Sequence, residues 1–230
     1  LDALGTHRVE ATEVEVIDPV VDHAAVLRGL FDFDAIRRLF AGGFRLRYDA
    51  MWAVGGPYAK AIIEGELGAP AGTVVNAEPK EDFSGLHPDP NPAYADDLVA
   101  HLMAADAPDM GAACYETPTG WKFFGNLLDA GQITLCGEES YGTGSDHVRE
   151  KDGLWAVLFW LNLVAVTGQS VEALVRGVWK EHGRCVYSRH DYDGIATDKA
   201  NALMSELRAQ LPSLGGSAVA GQQIAWADDF

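Results

Sequence analysis

The stretch Tyr115-Glu-Thr-Pro-Thr-Gly-Trp-Lys-Phe-Phe-Gly125, followed by Ile133-Thr-Leu-Cys136 and by Cys136-Gly-Glu-Glu-Ser-Tyr-Gly-Thr-Gly-Ser-Asp-His147, sets the reading of the whole chain. Trp121 to Ala130 has helical apolar spacing and stops at Gly131. Ile133 to Cys136 is a short apolar strand, and Gly137 opens a polar loop. Two glycine-flanked polar loops thus surround one short strand. They carry small hydroxyl residues and the adjacent carboxylates Glu138 and Glu139, with no matching run of basic residues. That chemistry suits a neutral ligand rich in hydroxyl groups, such as a sugar.

Upstream, helix and strand signals alternate. Glu13 to Ile17 alternates as a strand. Asp22 to Phe40 has helical spacing and reads as two helices broken near Asp32, stopped by Gly42-Gly43. Phe44 to Tyr48 is a second alternating strand. Pro57 sits at the start of a helix running to about Leu67. Thr73 to Asn76 is the next strand, and Pro92 opens a helix to about Ala104. Downstream, Gly153 to Thr167 is a strongly apolar helix. Ser170 caps the next one, which Gly183 ends. Cys185 to Tyr192 reads as a strand and Ala196 to Leu211 as an amphipathic helix. Pro212 to Gly221 reads as a linker. The order predicts an α/β fold with mixed and parallel sheets flanked by helices.

Composition narrows the function classes. The 230 residues hold 34 Asp and Glu against 17 Lys and Arg, a formal charge of −17. So acidic a surface repels nucleic-acid backbones and anionic membranes, so neither is expected as a partner. A small phosphorylated substrate stays compatible, because a few local donors override the global field. The apolar run Leu154 to Val166 is shorter than a membrane span and contains Asn162, so it reads as a buried helix. No signal-peptide pattern stands at the N-terminus. Cys114, Cys136 and Cys185 are widely spaced and odd in number, which points to reduced thiols and a cytoplasmic setting.

A family resemblance follows from Ala50-Met51, Gly55 to Pro57, Glu66-Leu-Gly-Ala-Pro70, Glu81-Asp-Phe83, His87-Pro-Asp-Pro-Asn91 and the block Tyr115 to Trp155. That block ends Arg149-Glu-Lys-Asp-Gly-Leu-Trp155. The chain resembles the α-D-phosphohexomutase family, and within it the enzymes that interconvert glucose 1-phosphate and glucose 6-phosphate. The resemblance implies two incomplete phosphohexomutase-type α/β domains: residues 1–113 as the second domain, 114–215 as the third, sugar-binding domain, and 216–230 as a linker toward a C-terminal domain. It implies an isomerase, an intramolecular phosphotransferase in which a phosphoserine passes its phosphoryl group through glucose 1,6-bisphosphate, with Mg2+ as cofactor. By the same resemblance Thr119, Gly120, Glu138 and Ser140 hold the hydroxyls of a hexose phosphate. Lys151 acts near the reacting hydroxyl, where an ammonium offsets phosphoryl charge or exchanges a proton.

The departures are as specific. No Ser-His-Asn-Pro motif for the phosphoserine is present. The family's metal loop, Asp-Gly-Asp-Gly-Asp-Arg, should follow Gly111-Ala-Ala113, yet Cys114 and Tyr115-Glu-Thr-Pro118 come at once. The resemblance therefore puts missing residues at the Ala113–Cys114 junction, and Mg2+ ligands are not expected in this chain. Three readings follow: the sugar-recognising part of a glucose phosphate mutase, a non-catalytic sugar-phosphate-binding or partner-binding remnant, and a mutase for another hexose phosphate.

Plainer readings apply to other motifs. Asp32-Phe-Asp34 and Asp191-Tyr-Asp193 each lack a third carboxylate, so capping or solvation is expected rather than metal binding. Ser145-Asp146-His147 has triad residue types, but consecutive residues do not normally meet triad geometry. Ser84 only faintly echoes a nucleophile motif. Trp121, Phe123 and Phe124, at helical spacing, are expected in the core.

Overall fold

The computed structural model describes residues 3–85, 113–118, 120–138, 142–184, 192 and 194–228. The expected helix from Pro92 and the expected strand from Cys185 lie outside the described residues.

The chain starts with an antiparallel hairpin of β1 (Gly5–Val9) and β2 (Thr12–Val16), in the register Gly5 opposite Val16. The second strand matches the sequence pattern; the first lacks an alternating apolar pattern and gains its strand from the partner. Two helices follow, α1 (Pro19–Leu30) and α2 (Phe33–Ala41). Each begins at an aspartate that replaces a missing backbone partner. Asp18 accepts from Val20 N at 3.0 Å and Asp32 from Ala35 N at 2.8 Å. The break near Asp32 and the stop at Gly42 are where the sequence puts them.

The expected strand over Phe44 to Tyr48 is reduced to β3 (Tyr48–Asp49), parallel to β4 (Val74–Val75). A strand needs a neighbour, and backbone bonding begins only at Tyr48 N to Thr73 O, 2.9 Å. Phe44 and Leu46 instead pack against the core and wall an apolar groove that includes Trp160 and Val164. Between the two strands, α3 (Gly55–Ala59) continues through Lys60–Glu66 with π-helical winding, as in the bond from Leu67 N back to Ile62 O, 2.9 Å. Gly56 is obligatory at this crossing: a Cβ there would fall 2.1 Å from Ala77 O.

The second segment contains α4 (Trp121–Asp129), the antiparallel pair β5 (Leu135–Gly137) and β6 (Thr143–Ser145), α5 (Gly153–Thr167), and α6 (Val171–His182). Gly131 leaves α4 at φ 65° and Gly168 leaves α5 at φ 67°, the left-handed turn glycine takes without steric cost. Last come α7 (Thr197–Leu214) and a hairpin of β7 (Ala218–Val219) and β8 (Gln222–Gln223). Pro212 lies inside α7 rather than ending it. The carbonyls of that frayed last turn gain side-chain donors, Ser213 Oγ to Gln210 O at 2.7 Å and Ser217 Oγ to Leu214 O at 2.6 Å.

Among the described residues the architecture is α/β with four two-stranded sheets, three antiparallel and one parallel where mixed and parallel sheets were expected, and α5 organises it. It is apolar around its circumference, the pattern of a buried helix. Leu154, Trp155, Leu158 and Leu161 join Leu27, Ile36, Ile62 and Leu67 in one buried cluster. Asn162, the polar residue in that helix, accepts from Asp32 N at 2.9 Å and so ties α5 to the α1–α2 elbow. Among the described residues no single helix is long and apolar enough to cross a membrane.

Candidate functional site

Three elements converge on Lys151. The β5–β6 hairpin supplies Glu138, whose N–H donates to Gly142 O at 2.8 Å. The turn after β6 supplies Lys151. The loop entering α4 supplies Gly120 and Trp121. Lys151 Nζ lies 2.5 Å from Glu138 Oε2, and the carboxylate side chain is only 9% exposed against 44% for the lysine. The ammonium also lies 5.8 Å from the centre of the Trp121 ring.

Glycines make this convergence possible. A Cβ on Gly142 would fall 2.6 Å from Lys151 Cδ, and one on Gly144 would meet Glu150 O at 3.2 Å and the Trp121 ring at 3.4 Å. The hairpin wall is therefore bare backbone against which the lysine stem and the indole rest. Trp121 Nε1 donates to Arg149 O at 3.1 Å, which fixes the ring. Gly120 has φ 138° and ψ 127°, a conformation open to glycine, just before the helix.

Of the expected site residues, Glu138 and Lys151 come together, with the Trp121 ring beside the ammonium, while Gly120 only precedes Trp121 at the entry to α4. Thr119 and Ser140 lie outside the described residues. The aromatic group of α4 departs from expectation. Only Leu128 of that helix is buried, Trp121 is half-buried over the site and Phe123 is exposed. The glycine-lined hairpin leaves no apolar layer to cover those rings.

A second constellation adjoins the first. Ser145 Oγ lies 2.7 Å from His147 Nδ1, and His147 Nε2 lies 3.0 Å from Asp152 Oδ2. Serine and histidine two residues apart thus do meet, with Asp152 and not Asp146 as the third member. His147 is 1% exposed, too deep for the approachable base a hydrolase needs. His23 Nε2, from α1, approaches the same Asp152 oxygen at 3.3 Å. Asp152 carries a legible signal, since it directly precedes the helix opened by Gly153 and caps it through Trp155 N at 3.0 Å. His23 carries none.

Electrostatics follow burial. The Cys136 thiol is pushed up to about 11, first by desolvation and then by the Glu138 charge. The Tyr48 hydroxyl is raised by burial and then by Asp152. Asp32 is a helix cap and Asp34 pairs with Arg37 at 2.6 Å. Among the described residues no three His, Cys, Asp or Glu side chains converge to hold a metal. Asp191 and Asp193 lie outside them.

The fold that carries these elements is that of a phosphohexomutase. The structure superimposes on pp63/parafusin, a phosphoglucomutase from Paramecium, with a TM-score of 0.80 and 35% identity, covering 93% of this chain and 52% of that one. A putative phosphomannomutase from Thermus thermophilus, at 20% identity and a TM-score of 0.61, shares the fold over 72% of this chain and 51% of that one. The phosphoglucomutase/phosphomannomutase alpha/beta/alpha domain III model matches residues 88–182. Phosphoglucomutase from Rhizobium radiobacter is 44% identical, over 100% of this chain and 54% of that protein. The chain belongs to the phosphoglucomutase/phosphomannomutase family, the α-D-phosphohexomutases. It spans about half the length of the curated relatives it matches. The match to the Rhizobium radiobacter protein runs over 293 aligned positions although this chain has 230 residues, so the alignment opens gaps in this chain.

Proposed function

We propose that this chain is the sugar-recognising portion of a phosphoglucomutase. The complete enzyme interconverts α-D-glucose 1-phosphate and glucose 6-phosphate through a phosphoserine and glucose 1,6-bisphosphate. Residues 1–113 form its second domain without the metal loop, 114–215 its third domain, and 216–230 the linker beyond. The observation that carries the reading is the Lys151–Glu138 pair, 2.5 Å apart on a glycine-walled hairpin.

Each residue has a chemical task. The Glu138 carboxylate accepts from two vicinal hydroxyls, and Ser140 both donates and accepts. Similar hydroxyl arrays present themselves in both orientations of the hexose, so one set of contacts serves both. Thr119 and Gly120 bound the sugar from the α4 side. Lys151 exchanges its Glu138 partner for substrate, offsets phosphoryl charge and stands within reach of the reacting hydroxyl. The described carboxylates do not fit Mg2+, so no step runs through it in this chain; it belongs with the metal loop of the complete enzyme. The free thiols of Cys114 and Cys136 support a cytoplasmic setting.

The test is direct binding. Glucose 1-phosphate and glucose 6-phosphate are titrated calorimetrically into the purified chain and into Glu138→Gln. Binding by the parent and its loss in the variant support the reading; equal binding by both removes Glu138 from the site. Tighter binding of mannose phosphates would move the assignment to another hexose. A second reading, a sugar-phosphate-binding remnant without catalysis, is favoured by alignment gaps in a chain that lacks the metal loop. Intact mass decides between them: the native protein at 24.7 kDa is the remnant.

A further inference from the structure

We propose that Asp152 is a positioning residue, through which the part-buried chain Ser145–His147–Asp152 and His23 hold the Lys151 ammonium against Glu138. The proposal rests on the reading of Glu138 and Lys151 as sugar-phosphate contacts.

Asp152 directly follows Lys151, and every polar group it has is engaged. Its backbone N–H donates to Thr143 O at 3.2 Å, which pins the Lys151 turn to the β5–β6 hairpin. Its Oδ1 caps α5 through Trp155 N, which pins the same turn to the core helix. Its Oδ2 receives two imidazoles, His147 at 3.0 Å and His23 at 3.3 Å. The Asp152 side chain is only 10% exposed, so these contacts act in a poorly screened setting.

The imidazoles are themselves fixed. His147 stacks on Trp155 with ring centres 6.0 Å apart and planes 17° apart, and Trp155 stacks on Phe159 at 5.4 Å. Its Nε2–H donates to Asp152 while Ser145 Oγ–H donates to Nδ1, the tautomer that satisfies all three groups. His23 stands on α1 edge-on to Tyr58, at 5.6 Å. The Lys151 backbone is thereby anchored to α5, to the hairpin and to α1. With its backbone fixed and its stem against Gly142, the flexible lysine has few places for its ammonium other than beside Glu138.

Asparagine at position 152 keeps a good helix cap but cannot accept two N–H donors on the other terminal atom. Asp152→Asn therefore separates positioning from folding. In the 230-residue chain the lysines are 13C-dimethylated, which keeps their charge, and Lys151→Arg identifies the Lys151 resonance. The parent is expected to show Lys151 displaced from the exposed lysines. In Asp152→Asn the signal should collapse onto theirs while cooperative thermal melting persists. A Lys151 resonance unchanged in Asp152→Asn overturns the proposal. Should that variant fail to fold, His147→Gln gives the same reading, and an unchanged resonance there overturns it equally. Glucose 6-phosphate added to the parent tests the site separately. No movement of Lys151 removes the sugar-phosphate reading, whatever Asp152→Asn does to the resonance. Movement in the parent together with an unchanged Asp152→Asn resonance removes the positioning role alone.

Discussion

Lys151 Nζ lies 2.5 Å from Glu138 Oε2, and the two partners differ in exposure, the carboxylate being buried and the lysine nearly half exposed. The asymmetry matters for binding. The buried acid is held in place by the hairpin backbone, whereas the half-exposed ammonium, anchored through its backbone and stem, can turn at its terminal bonds toward an incoming phosphate. A hydroxyl-bearing ligand can therefore take the place of the lysine on a preset carboxylate.

Lys151→Ala is expected to abolish hexose phosphate binding at concentrations that saturate the parent, while costing only about 1 kcal/mol of stability, as partly exposed pairs do. Calorimetry measures the first and urea unfolding the second. A stability loss several times larger, with binding retained, would make the pair a structural one.

Alkaline pH should destabilise the fold through Cys136. Its thiol rises from an ordinary 9.0 to about 11 in the folded chain. The folded state therefore keeps a proton that the unfolded state releases. The resulting stability is fully present below about 9 and is lost as pH climbs through about 11. Tyr48, raised for the same reason, adds in the same direction above its ordinary 10.0. Urea midpoints measured across this window should fall, and fall less in Cys136→Ser. At about pH 8, iodoacetamide should modify the exposed Cys114 and spare Cys136, as peptide mass mapping would show.

Two glycine substitutions should diverge. Gly56→Ala drives a methyl into the Ala77 backbone at 2.1 Å and should cost about 3 kcal/mol or prevent folding. Gly177, inside α6, has open space where a methyl would stand and ordinary backbone angles, so Gly177→Ala should stabilise by up to about 1 kcal/mol. Thermal melting of both variants is the check; a tolerated Gly56→Ala contradicts the close crossing of α3 and the β4 exit.

Leu158→Ala should cost about 2–5 kcal/mol, because Leu158 is fully buried where α5 meets the first segment. The shared cluster also predicts one cooperative transition. Circular dichroism and tryptophan fluorescence should give coincident midpoints, and separated midpoints would mean that the two segments unfold independently.

The polar loops at Tyr115–Gly125 and Cys136–His147 were legible because their message is local in residue type. Glu138, Gly120 and Lys151 were each visible by resemblance, but that Trp121 would lie over Lys151 was not. Phe123 and Trp121 have core-like spacing; only the glycine-lined hairpin beside them reveals that no apolar layer covers them. His23 is farther out of reach still, since nothing near it in sequence announces an aspartate at position 152.

Sequence alone determined several helix limits: the break at Asp32, the Ser170 cap, the span Gly153–Thr167 and the stops at Gly42, Gly131 and Gly183. Those depend on groups within one turn, so short stretches suffice. It also determined the family, through runs of residues. Tertiary structure decided what neighbours could not. Phe44 to Arg47 stays out of a sheet because its parallel partner bonds only from Thr73. The buried cluster draws on both segments because α5, apolar all round, must find cover wherever the chain path supplies it.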